Sequence, residues 1–288
     1  MTDQPFTIAA DANCELGENP LWNADQNCVY WTDIPAGKIY RLDVAAQKFG
    51  VIYEDEPVGG FTIQESGDLL LFRVKDIVSL SRGGKTSVVR SYSDEGMSRF
   101  NDVIADPEGR VFAGTIGKTK QSGGLYRVDL DGTITKLFEG TGCSNGMGFS
   151  PDLKTFYWTC TTTRKIFQFD YKRSSGEINN RRVFYDAVND EGLPDGLTVD
   201  EEGFVWSARW AGSSIKRHAP DGKVIESFSF PVRNITSMCF GGRNLDQLFI
   251  TSAKTSGENS PLAGALFQIP VRVKGRNAFK SKIALLAD

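Results

Sequence analysis

Six residues occupy one place in a recurring pattern along this chain: Glu18, Gly59, Asn101, Asn145, Asp195 and Thr236. Two are carboxylates, two are amides and one is a hydroxyl, a set of oxygens that suits a hard divalent cation such as Ca²⁺, Mg²⁺ or Mn²⁺, with two negative charges to balance the ion. A ring built only for packing would be filled with apolar or small side chains. Each residue taken alone also reads as an ordinary turn former at a loop-to-strand junction, because Asn-Gly, Asn-Asp and Asp-Gly favour turns. Recurrence at one register weighs against that reading, and Gly59 and Thr236 remain compatible with it.

The element that positions these residues is a repeated β-hairpin: a polar residue, a short apolar strand, a turn containing Asp, Gly or Asn, then a strand rich in aromatic and β-branched residues. The copies begin at the six positions above, spaced by 41, 42, 44, 50 and 41 residues. Two further strand-like segments follow most copies, so each repeat holds about four strands, the content of a propeller blade of ~40–45 residues. Helical periodicity with caps is missing. The expected fold is all-β: a six-bladed β-propeller with four antiparallel strands per blade and one metal ion at its central channel, residues 1–288 forming a single domain. Strand character at residues 6–10 and 283–286 suggests that one terminus completes a blade begun by the other and so removes a sheet edge.

With 288 residues, 40% hydrophobic and 24% charged, the composition is that of an ordinary globular protein. The net charge of −3 and the lack of clustered Lys and Arg argue against nucleic-acid binding. No stretch reaches the ~20 apolar residues of a membrane span, and the N-terminus lacks a signal-peptide pattern, so a cytoplasmic protein with no membrane partner is expected, as a monomer or small homo-oligomer. Five cysteines, with no Cys-x-x-Cys pair, read as reduced thiols.

The segments LGENPLW from Leu16, RFNDVIADPEGRVFAGT from Arg99, SNGMGFSPDLKTFYWT from Ser144, LPDGLTVDEEGFVW from Leu193 and ITSMCFGG from Ile235 resemble, in order, the regucalcin, senescence marker protein and gluconolactonase family. The resemblance implies a six-bladed propeller lactonase with one divalent metal (Ca, Zn, Mn, Mg or Fe(II)) bound by Glu18, Asn145 and Asp195. It further implies Asp195 as general base and substrate contacts from Arg99 and Asn101. Departures fall around the substrate: Val103 stands after Asn101-Asp102 where Gly is usual, Cys160-Thr161 replaces Asp-Ser, and Arg209-Trp210-Ala211-Gly212 replaces an aromatic-Gly-Gly run. An acidic residue of some relatives is absent from the stretch Gly117–Lys120.

The expected reaction is metal-assisted opening of a sugar-acid lactone, with Arg99 balancing developing negative charge. Asp33, Thr115, Cys160, Arg209 and Lys254, at the ends of the second strands, are expected to form an outer ring in which Arg209 contacts substrate. Arg209 and Lys254 read either as solvated rim charges or, together with Arg99, as groups that would favour an anionic lactone. Gly142-Cys143-Ser144-Asn145-Gly146 matches the serine-hydrolase elbow, yet no helix pattern follows it and the single histidine, His218, reads as an exposed residue beside a turn. Alternative functions are a promiscuous phosphotriesterase or arylesterase using the same cation, and a metal- or ligand-binding propeller without turnover. Carboxylates in only two blades, with Arg99 beside Asn101, favour the enzyme, since a scaffold has no need of that asymmetry.

Overall fold

Aspartates cap the hairpin turns of the third and fifth repeats. In the third repeat Asp106 Oδ1 accepts the amides of Glu108 (2.9 Å) and Arg110 (3.0 Å), and in the fifth Asp200 Oδ1 accepts those of Glu202 (3.0 Å) and Phe204 (2.9 Å). The second oxygen of each cap is also used. Asp106 Oδ2 receives Arg110 Nε at 2.6 Å and the Tyr171 hydroxyl at 2.8 Å, which ties the third repeat to the fourth.

The computed structural model describes residues 6–92, 94–255 and 258–285, and every regular element among them is a β-strand. These strands form six four-stranded antiparallel sheets. The innermost strands are Gly17–Asn23, Gly60–Ile63, Met97–Ala105, Ser144–Phe149, Leu193–Val199 and Asn234–Gly241, matching the six repeat starts. Five blades run outward in chain order. The sixth takes Thr7–Ala10 as its outermost strand, Thr7 pairing with Gln268, so the N-terminal segment closes the ring as expected. At the other end of the chain, Ile283 to Leu285 are not strand, and Leu286 lies outside the described residues. The segment from Val271 instead runs across the far end of the channel. Gly275 N bonds Leu245 O at 2.8 Å, Arg276 Nη1 bonds Ser150 O at 3.3 Å and Ser281 N bonds Ile63 O at 2.9 Å, anchoring it on three different blades.

Contacts between neighbouring inner strands complete the circle. The Asn19 amide clasps the backbone of Phe61 (Nδ2 to O 3.1 Å, Oδ1 from N 3.3 Å), Asn101 Nδ2 donates to Ser144 O (2.9 Å), and the Thr236 hydroxyl donates to Gly17 O (2.6 Å). Gly59 and Gly146 allow the closest approaches. A Cβ at Gly59 would lie 2.0 Å from Phe100 O, and one at Gly146 would lie 2.2 Å from Leu197 N, so no larger residue fits without moving a blade. Aromatic side chains fill the spaces between blades. Trp206, 1% exposed, stacks on Phe228 at 5.2 Å and meets Phe240 edge-on at 5.8 Å. Burying each such phenylalanine contributes roughly 1.5–3 kcal/mol. Among the described residues no helix is long and apolar enough to cross a membrane, and all five cysteines are unpaired.

Candidate metal and catalytic site

Pairing between the first and second strands slips at the same height in five of the six blades. The breaks lie between Glu18 and Leu21, Phe100 and Val103, Ser144 and Met147, Pro194 and Leu197, and Ile235 and Ser237. In the second blade Gly60–Ile63 pairs without a break. A bulge leaves residues out of the ladder and re-aims their side chains, and bulges gather beside active sites. Asn101, Asp102, Asn145, Asp195 and Thr236 fall inside these breaks and Glu18 borders one, so the slips turn a ring of backbones into a ring of side chains at one end of the channel.

Glu18, Asn101, Asp102, Asn145 and Asp195 are all buried, each at most 8% exposed. Among the described residues three oxygens there have no hydrogen-bond partner: Asp102 Oδ1, Asn145 Oδ1 and Asp195 Oδ1. Buried acceptors are rarely left unpaired, and here they come from three different blades. The carboxyls also interact electrostatically. Burial, followed by repulsion from Asp195 and Asp102, pushes Glu18 well above the usual carboxylate range, and burial with repulsion from Asp102 does the same to Asp195. Burial raises Asp102 to about 7 while Arg99 pulls it down. Burial lowers the Arg99 guanidinium from its ordinary value, against the pull of the surrounding anions. Carboxyls that disfavour their own charge, beside unpaired oxygens, form a site that a cation would complete. Among the described residues no three His, Cys, Asp or Glu side chains are grouped so as to hold an ion by themselves.

The Asn101 amide is partly committed. Its Nδ2 bonds Ser144 O and its Oδ1 accepts Arg99 Nη1 at 2.7 Å, while the same Nη1 reaches Phe100 O at 2.8 Å. Asn101 therefore holds Arg99 in place, and among the described residues no acceptor takes the other guanidinium nitrogens of Arg99. The Thr236 hydroxyl is taken up by Gly17 O and Thr251 Oγ1, so it is a structural tie between blades. Asp102 was missing from the sequence-based set. Strict alternation along a strand sends Asn101 and Asp102 to opposite faces, and only the slip between Phe100 and Val103 brings both toward the mouth. Ser144 Oγ receives Trp158 Nε1 at 2.7 Å and is fully buried, in keeping with the poor fit of serine chemistry.

Two expectations are corrected. Arg209 is not a mouth residue: its side chain is 0% exposed and lies over the Tyr185 ring, with Nη1 on Ser207 and Ala208 and Nη2 on Asp190 Oδ2 at 3.4 Å. His218 is not exposed but fully buried, its ring between Arg209 Nη2 (3.2 Å) and Gly222 O (3.1 Å). Arginine only donates, so His218 Nε2 accepts and Nδ1–H donates to the carbonyl. That neutral tautomer agrees with a pKa lowered to about 4 by burial and by the Arg209 charge. The remaining outer-ring positions are hydrogen-bonded within the protein. Asp33 accepts the amides of Glu15 and Leu16 (both 3.0 Å), Thr115 is bonded to Gly124, Cys160 to Thr141, and Lys254 reaches Asn13. Arg209→Ala is accordingly expected to lower unfolding stability by about 3–5 kcal/mol, as breaking a buried ion pair does. Urea unfolding measures this. The ratio of activities on charged and neutral substrates should not change.

Comparison with known proteins follows the same outline. Residues 16–254 match the family model described as the SMP-30/Gluconolactonase/LRE-like region. The chain is 39% identical to the pentonolactonase XacC of Haloferax volcanii, covering 97% of this chain and 99% of that one. It is 33% identical to the regucalcin of Homo sapiens, covering 91% and 93%. Among solved structures, a calcium-binding regucalcin from Agrobacterium tumefaciens superposes with a TM-score of 0.91 at 24% identity over 96% of this chain and 97% of that one. A gluconolactonase from Xanthomonas campestris gives 0.77 at 20% identity over 93% and 90%. At those identities the two structures speak for the fold alone.

Proposed function

The chain belongs to the SMP-30/gluconolactonase/LRE-like family, and on that premise we propose that it is a cation-dependent lactonase that opens a sugar-acid lactone, a five-carbon aldonolactone being the first substrate to test. The observation that carries the cation dependence is the trio of unpaired buried oxygens on Asp102, Asn145 and Asp195. The substrate class follows the pentonolactonase relative, aligned over nearly its whole length.

Glu18, Asn145 and Asp195 are the proposed ligands, and Asp102 adds a third carboxyl to the negative field that would hold the ion. When bound, a divalent cation supplies Lewis-acid polarisation of the lactone carbonyl and lowers the pKa of water. Opening the ring adds a water oxygen to the carbonyl carbon, breaks the acyl–oxygen bond and returns a proton to the departing hydroxyl. Asp195 is the proposed proton acceptor, because its Oδ1 is free and its environment raises its basicity. The free nitrogens of Arg99 are suited to face the oxygen on which negative charge develops, an interaction strengthened where water is excluded. Asn101 keeps one amide hydrogen for a substrate hydroxyl while it steadies Arg99.

With Arg209 buried, Arg99 and the 117–122 turn are the proposed source of a preference for anionic lactones. This turn packs on the loops flanking Asn145: a Cβ at Gly142 would lie 2.8 Å from Lys120 Cα and 2.7 Å from Thr162 Oγ1. Lys118 and Lys120 are exposed there. Replacing both with alanine should lower kcat/KM on a carboxylate-bearing lactone by about tenfold, since two exposed charge contacts are worth roughly 1–2 kcal/mol together. Hydrolysis of a neutral pentonolactone should be unaffected. The assay is proton release from a panel of γ- and δ-lactones by chelator-treated protein, before and after adding Ca²⁺, Mn²⁺, Zn²⁺ or Fe²⁺. Silence on every lactone with every ion would overturn the lactonase reading in favour of a binding protein.

A further inference from the structure

A carboxamide can face a site with its oxygen or with its nitrogen, and only the oxygen serves a cation. We propose that Thr161 is a positioning residue that holds the Asn145 carboxamide by its nitrogen, keeping Oδ1 free of protein partners, and so sets the affinity of the mouth for a divalent cation. The inference rests on the reading of this mouth as a cation site.

Thr161 follows the second strand of the fourth blade, Thr155–Cys160. Its backbone amide bonds Cys143 O at 3.1 Å, which fixes it beside the start of the Asn145 bulge. Its hydroxyl has a single hydrogen, and that hydrogen goes to Pro194 O at 2.7 Å, on the residue before Asp195. What Thr161 Oγ1 has left to offer is a lone pair, so its other partner has to donate. Asn145 Nδ2 meets it at 3.2 Å, with the Cys143 sulfur as a second, weaker acceptor at 3.8 Å. Turning the amide over would set Oδ1 against the lone pairs of Thr161 Oγ1, whose only hydrogen is already committed to Pro194 O. The amide is thus held by its nitrogen, which also lies within reach of the Asp195 carboxylate, and among the described residues Oδ1 is left buried without a partner. The same hydroxyl joins the backbone ahead of Asp195 to the side chain of Asn145, so one oxygen also controls the spacing of two proposed ligands carried by different blades. Partners outside a metal's ligand set typically change its affinity 10- to 100-fold.

The test is calorimetric titration of Ca²⁺ and of Mn²⁺ into the full-length chelator-treated protein and three variants, with unfolding midpoints recorded for each. Thr161→Val keeps the shape and removes the hydroxyl, and should weaken binding by about 10- to 100-fold. Thr161→Ser restores the hydroxyl and should bind within about twofold of the parent. Thr163→Val is the control: it alters the same loop, where the Thr163 hydroxyl donates to Cys160 O (3.3 Å), and should bind as the parent does. Parent-like affinity in Thr161→Val, or equal losses in the Val and Ser variants, would overturn the inference and leave the cation site standing. No binding of either ion by the parent would overturn the cation site and the inference with it.

Discussion

Asp195→Asn is expected to lower kcat/KM for lactone hydrolysis by about 10³-fold, within the range for losing a general base, while the protein without metal becomes more stable. The two effects share a cause. Asp195 is buried beside Asp102 and Glu18, and burial and mutual repulsion hold its carboxyl above the usual range. An amide of the same shape removes a charge from that cluster and keeps a carbonyl oxygen in its place. If Asp195 served only the architecture, the substitution would cost stability and spare turnover. Sites arranged for function commonly carry strain that a neutral substitute relieves. Steady-state kinetics and thermal unfolding of chelator-treated protein measure the two quantities. Activity within tenfold of the parent would remove Asp195 from the reaction.

Chelation is expected to abolish lactone hydrolysis and to destabilise the protein at pH 8 but hardly at pH 5. The sign follows from the carboxyls at the mouth. Asp102 is raised from 3.8 to about 7, and Glu18 and Asp195 are raised too. A group whose pKa is higher in the folded state favours folding when protonated. Its contribution is complete below the ordinary carboxylate pKa and is lost as pH rises through the folded value. For Asp102 alone the loss between pH 4 and 8 is roughly 4 kcal/mol at most, because each tenfold change in proton affinity is worth ~1.4 kcal/mol. A cation that binds only the folded chain offsets this at high pH by mass action, about 4 kcal/mol at a thousandfold excess over Kd. Unfolding midpoints should therefore fall by roughly 5–10 °C on chelation at pH 8. At pH 5 protons occupy the carboxyls and little change is expected. Undiminished hydrolysis by chelator-treated protein would falsify the cation dependence.

The regular parts of the molecule were readable because they obey local rules. Six hairpin repeats, their Asp-containing turns and the absence of helical periodicity follow from residue preferences over a few positions, and the observed inner strands begin within a few residues of each predicted repeat start. The closing of the ring by one terminus was readable from strand character near the N-terminus, and residues 7–10 supply that strand. Glu18, Asn145 and Asp195 could be picked out because they are polar at a place where packing alone would select apolar or small residues.

Side-chain direction was not readable, because it depends on register and register depends on the neighbouring strand. Arg209 sits opposite Pro194 in the second strand of its blade, and that pairing turns its guanidinium inward to Asp190 and His218 rather than to the mouth. Asp102 is adjacent to Asn101 in sequence and joins it at the mouth only because the ladder slips there. Thr161 matters through two hydrogen bonds to partners 16 and 33 residues away. The sequence by itself determined the blades, their number and the residue types around the channel. Tertiary structure decided which side chains face it, since a one-residue slip reverses the face of every residue that follows and no local preference encodes the slip.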